Sequence, residues 1–238
     1  MRIENNVITG PRARPVLLLL DVSGSMNDDR GEKINSLNNA VAKMIDFFKK
    51  DAAKNESFYI VGIVKFGGQD GAKKILPFTD VNTINWKPMI AGYGTPLGKA
   101  FKIAKEMIEA KEDKAVTGSS YVATVVLVSD GKPDTDGIWE KALDAFINSG
   151  RSQRCDRWAM GLGSDAVEKM LRRFAKPQEK PGDPEKYYHG EAPEIAKFFE
   201  MVSQSVVMQS PPPPPPPPGT PSDNEVTVEG DPDDSEQI

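Results

Sequence analysis

Hydrophobic and polar positions along this chain switch repeatedly between a strand-like and a helix-like rhythm. Val16–Leu20 is an unbroken apolar run, the pattern of a strand covered on both faces, and it predicts the first strand. Glu32–Lys50 then places Ile34, Leu37, Val41, Met44, Ile45 and Phe48 at helical steps, which predicts an amphipathic helix. Ser57–Phe66 predicts a second strand, ended by Gly67-Gly68. Ala72–Phe78 predicts a short edge strand whose Lys73-Lys74 would guard an open edge against pairing. Leu97, Ala100, Phe101, Ala104, Met107 and Ile108 form another helical stripe. Tyr121–Ser129 is rich in β-branched residues and predicts a central strand. A helix over Ile138–Asn148, a strand over Asp156–Leu162, a helix over Asp165–Phe174, a short strand over Tyr187–His189 and a helix over Pro193–Val207 complete the series.

This alternation predicts an α/β fold, a central, mostly parallel sheet with one short antiparallel edge strand and helices on both faces. The expected organisation is a polar lead-in over residues 1–14, one folded unit over 15–208 and a tail over 209–238. Pro211–Pro218 is uninterrupted proline, which favours polyproline II and spans roughly 25 Å at about 3.1 Å per residue. It has no flanking Lys or Arg, so a stiff spacer before a disordered acidic end is favoured over a docking ligand.

Charge follows the same division. The net charge is −5, and seven acids lie beyond Pro211 with no Lys or Arg among them. The remaining 30 basic and 28 acidic residues are nearly balanced, which argues against nucleic acid as a partner. No apolar run approaches the roughly 20 residues that cross a bilayer, and no secretory signal is evident. A single cysteine, Cys155, excludes an intramolecular disulfide and suggests a reducing, cytoplasmic setting. Cys155 is expected to pack as a small apolar residue, and the one histidine, His189, to end a short strand near the surface.

The candidate chemistry sits where predicted strands end. Leu17–Leu20 runs into Asp21-Val22-Ser23-Gly24-Ser25, a carboxylate followed by two hydroxyls at alternate positions. A buried parallel strand delivers such residues to the carboxyl edge of its sheet, where open α/β folds place ligands. Hard oxygens there suit Mg²⁺ or Ca²⁺ better than zinc or iron. Gly92-Tyr93-Gly94-Thr95-Pro96 adds a hydroxyl at a helix start, and Val128-Ser129-Asp130-Gly131 adds a second carboxylate at another strand end. Each segment has a plainer reading: a turn after a strand for Ser23 and Ser25, a helix N-cap for Thr95, and a turn for Asp130-Gly131.

Together, Asp21, Ser23, Ser25, Thr95 and Asp130 resemble the metal-ion-dependent adhesion site of von Willebrand factor type A (VWA) domains, whose order is D-x-S-x-S, a loop threonine, then a strand-ending aspartate. The resemblance implies a Rossmann-like VWA fold. It also implies that Ser23, Ser25 and Thr95 touch the metal directly, while Asp21 and Asp130 act largely through bound waters. The expected ion is Mg²⁺, with Ca²⁺ or Mn²⁺ as alternatives, and its open position would accept a carboxylate from a protein partner. Arg14–Met26, Val64–Gly68, Gly94–Gly98, Val128–Pro133 and the closing Lys197–Ser205 are similar to bacterial TerY-type proteins of tellurium-resistance and chemical-stress clusters. That likeness implies a cytoplasmic interaction module, not an enzyme, with kinase-like or PP2C-type phosphatase proteins as partners. Two other functions remain open from the residues. A haloacid-dehalogenase-like phosphotransferase also starts from a strand-ending aspartate, but needs a second carboxylic acid where Ser23 stands. A scaffold would act through the proline and acidic tail.

Overall fold

The computed structural model describes residues 11–110, 116–117, 120–134, 137–164 and 166–211. In chain order the elements are β1 (Ala13–Val22), α1 (Asp28–Asn55), β2 (Phe58–Gly67), β3 (Lys73–Asp80), α2 (Leu97–Glu109), β4 (Thr124–Ser129), α3 (Ile138–Asn148), β5 (Asp156–Leu162), α4 (Glu168–Phe174), β6 (Tyr187–Gly190) and α5 (Ile195–Val207). Six strands form one sheet in the order β3-β2-β1-β4-β5-β6. All neighbours run parallel except β3, which lies antiparallel to β2 at the edge. The lysine-bearing segment expected at an edge is therefore at one.

The sheet is covered on both faces because its central strands are apolar on both. Along β1, Val16, Leu18, Leu20 and Val22 join the core beneath α1 and α5, whereas Leu17 and Leu19 join the core beneath α2, α3 and α4. Strand pleating sends successive side chains to opposite faces, so a four-leucine run serves both layers at once. Each fully buried leucine removes apolar area worth about 2 kcal/mol from water.

Several element ends differ from the sequence-based expectation. β1 extends two residues beyond Leu20, so Asp21 and Val22 still pair with Phe66 and Gly67 of β2. The polar residues there do not stop the strand, because the β2 backbone continues beside them. α1 begins earlier, at Asp28, after a 3₁₀ turn over Gly24–Asn27 whose Met26 is fully buried. β4 starts at Thr124 instead of Tyr121; Tyr121 N–H donates to the Ala13 carbonyl as a connection outside the ladder. α4 starts at Glu168, and the proposed start at Asp165 lies outside the described residues. α5 follows a 3₁₀ turn over Ala192–Glu194 closed by reciprocal bonds between Glu191 and Glu194. Most of the lead-in and of the tail also lies outside the described residues.

Candidate metal centre

The sheet order reverses at β1, which has β2 on one side and β4 on the other. This is the switch point at whose carboxyl edge open α/β sheets bind ligands. Asp21 lies at the end of β1, and Asp130 immediately follows β4. Pleat parity decides where each points. Asp21 continues the face of Leu17 and Leu19, and Ser129 continues the face of Val125 and Leu127, so the two meet: Ser129 Oγ donates to Asp21 Oδ2 at 2.6 Å. Asp130, one residue on, turns the other way, towards α1.

Asp21 is fully buried, and its other oxygen accepts from Ser23 N–H at 2.8 Å. Burial drives its pKa from 3.8 up to about 6; the Ser129 and Ser23 hydrogen bonds oppose the rise, and Asp130 adds to it by like charge. The hydroxyls form a chain. Ser23 Oγ and Ser25 Oγ lie 3.1 Å apart, and Ser25 Oγ donates to Asp130 Oδ1 at 2.7 Å. A Cβ at Gly131 would lie 3.5 Å from the Ser25 hydroxyl and 3.9 Å from that of Thr95, so both face the same glycine. Asp21, Ser23, Ser25, Thr95 and Asp130 thus gather at one edge of the sheet, from three loops far apart in sequence.

The Thr95 loop is pinned at several points. Gly24 N–H donates to the Tyr93 carbonyl, Gly92 N–H to the Val22 carbonyl, and Gly68 N–H to the Gly92 carbonyl. Tyr93 itself has a left-handed backbone, φ 63°. Asp134 then clamps Thr95 from the other side: its Oδ1 accepts from Thr95 N–H at 2.8 Å, and its own N–H donates to the Thr95 carbonyl at 3.0 Å. The helix-cap reading of Thr95 does not hold. α2 starts at Leu97 with Pro96 in the cap position and no side-chain cap hydrogen bond. Thr95 is only 7% exposed.

Three contributors escaped the sequence analysis: Ser129 on Asp21, Asp134 on Thr95, and Lys33, whose Nζ lies 2.7 Å from Asp130 Oδ2. Two other expectations hold. Cys155 is buried and its thiol is pushed up to about 12 by desolvation, and His189 is exposed in β6.

The donor set tests whether a metal suits this place. Among the described residues no three His, Cys, Asp or Glu side chains gather as a metal cluster. The converging groups are instead neutral hydroxyls and two carboxylates, all hard oxygens, which fit Mg²⁺ or a similar ion. Each carboxylate oxygen already accepts one protein hydrogen bond and keeps a second lone-pair direction.

Comparison with known proteins identifies the fold. Residues 16–132 match the family model of the von Willebrand factor type A domain. The fold is that of a VWA domain. Proximal thread matrix protein 1 from the mussel byssus is similar at 17% identity and TM-score 0.59, covering 82% of this chain and 47% of its own. The ArnB paralog VWA2 from Sulfolobus acidocaldarius is similar at 17% identity and TM-score 0.54, over 85% of this chain and 46% of its own. The pilus adhesin SpaC from Lactobacillus rhamnosus GG is similar at 14% identity and TM-score 0.58, over 85% and 30%. One structure of the mussel protein has a zinc-occupied MIDAS motif. This chain spans about half or less of the length of each of these structures. No curated protein matches the sequence. VWA domains are known for metal-dependent protein–protein interaction and adhesion.

Proposed function

We propose that this VWA domain, over residues 15–208, is a protein-interaction module whose candidate centre binds Mg²⁺ and captures an acidic side chain of a partner. The observation that carries the proposal is the continuous set of oxygens from Ser23 through Ser25 to Asp130, with Thr95 against the same glycine as Ser25. Ser23, Ser25 and Thr95 would hold the ion through neutral hydroxyls, and Asp21 and Asp130 would orient its waters. A divalent ion so held keeps most of its charge and supplies an open valence for a carboxylate oxygen. The chain's own contribution is rigidity: Asp134 fixes the Thr95 backbone, Ser129 and Ser23 N–H fix Asp21, and Ser25 fixes Asp130.

The finer setting rests on the motif strings similar to TerY-type proteins. On that likeness the module acts in the cytoplasm in a bacterial tellurium-resistance or stress-response system, with kinase-like or PP2C-type phosphatase proteins as its partners. A non-catalytic role is favoured because Ser23 occupies the position where phosphoryl transfer from an aspartate would need a carboxylic acid.

Titration of Mg²⁺ into the protein by calorimetry tests the centre, with Thr95→Ala as control. Saturable 1:1 binding that weakens at least about tenfold in the variant is expected, on the usual cost of losing one ligand group. Binding unchanged by Thr95→Ala, in a variant that melts like the parent in EDTA, would remove the centre from these residues. Affinity purification in Mg²⁺ and in EDTA, read by mass spectrometry, then identifies the partner.

A further inference from the structure

We infer that Lys33 is a tethered counter-cation that competes with the divalent ion for Asp130, so that the centre holds metal weakly until an anionic partner arrives. The inference rests on the metal-centre reading above and concerns the regulation of that same site.

The ammonium is built into position. α1 enters through Arg30 and Gly31, both with left-handed φ values (61° and 77°), a kink one turn ahead of the helix's regular body. Ile34 and Leu37 then anchor that body in the core, fixing the direction in which Lys33 leaves the helix. Its side chain is only 17% exposed. It passes over Gly163, just beyond β5, where a Cβ would lie 3.7 Å from Nζ and 3.9 Å from Cε. Nζ ends 2.7 Å from Asp130 Oδ2, on a carboxylate with no solvent exposure, while Ser25 Oγ holds the other oxygen at 2.7 Å. A solvated surface lysine would meet none of these conditions.

The charges give the consequence. Asp21, Asp130, Asp134 and Lys33 together sum to −2 when ionised. A divalent ion added there meets a second cation already bound to one of the two carboxylates of its ligand set. At separations of several ångströms and an effective dielectric near 20, like charges repel by amounts that alter affinity tenfold or more. The bare ion is therefore held against the Lys33 charge, which an incoming carboxylate offsets. Metal and partner consequently bind each other's complexes better than they bind the protein singly.

Calorimetric titration of Mg²⁺ alone into the full chain, Lys33→Met and Lys33→Arg tests this, with melting in EDTA as the check on folding. Lys33→Met, which keeps the aliphatic stem without the charge, should bind Mg²⁺ at least about tenfold more tightly, while Lys33→Arg should stay within about twofold of the parent. Equal or weaker binding by Lys33→Met would overturn the inference and leave Lys33 as an orienting group for Asp130. Should the Met variant not fold, Lys33→Gln, a neutral donor to the same oxygen, gives the same readout. An absence of Mg²⁺ binding in the parent and both folded variants would overturn the metal centre and this inference together, which separates the two failures.

Discussion

Asp21 combines two demands that conflict. It is fully buried, yet a role in cation binding needs its charge. Its pKa of about 6, against 3.8 when unfolded, means that the metal-free fold tolerates the charge less well than the unfolded chain does. The stability this group contributes is fully present below pH 3.8 and lost as pH rises through about 6, a difference on the order of 3 kcal/mol. Asp21→Asn keeps an acceptor for Ser23 N–H and removes the charge. In EDTA at pH 7.5 the variant should therefore melt several degrees higher than the parent, with the gap closing towards pH 4. In Mg²⁺ the order should reverse, because only the parent gains stability by binding the ion. Differential scanning fluorimetry in both conditions checks this; a variant less stable in EDTA would show that the carboxylate is structural. Protonation of Asp21 also removes a charge that would orient the ion's waters, so Mg²⁺ affinity in the parent should fall as pH drops through about 6.

Elements carry these residues to one edge, and two backbone devices align them. Gly67 ends β2 at φ 109°, and a Cβ there would lie 2.5 Å from Ser23 N and from the Val22 carbonyl carbon. Gly67→Ala should therefore displace the D-x-S-x-S loop and cost at least about 2 kcal/mol, seen as a lower melting temperature in EDTA. Asp134→Ala acts differently: it frees the Thr95 N–H and loosens a half-exposed loop. It should weaken Mg²⁺ about tenfold while leaving the melting temperature in EDTA within a few degrees of the parent. An equal loss in both measurements would make Asp134 a fold residue only. The elements themselves were legible from the sequence because apolar runs and helical stripes are local patterns: α3 and β5 match their expected bounds, and β3 lies at the edge its lysines suggested. The five candidate ligands were legible because each sits at the end of such a pattern. Ser129, Lys33 and Asp134 were not, because their roles are pairings across 108, 97 and 39 residues set by pleat parity and helix entry. The plainer cap reading of Thr95 stood open in the sequence because a threonine before proline looks alike whether its hydroxyl closes a helix or faces a neighbouring loop.

At the scale of the whole molecule the candidate centre and the last described residues lie at opposite ends of the sheet. Asp21 and Asp130 are at the carboxyl ends of β1 and β4. Gln209 Nε2 donates to Thr124 Oγ1 at the start of β4, and Arg14 Nη1 donates to the Val206 carbonyl near the start of β1. The strand between Thr124 and Ser129 puts roughly 17 Å between these places, at about 3.3 Å per residue. The described chain ends at Pro211, at that far end, so removing the tail leaves every residue of the centre in place. Truncation after Ser210 should leave melting temperature and Mg²⁺ affinity unchanged, because the ties at Arg14 and Gln209 remain. Capture of the partner by the truncated chain should still need Mg²⁺ and fail in EDTA. If pull-down instead survives EDTA and is lost on truncation, the tail is the binding element and the centre is incidental to it.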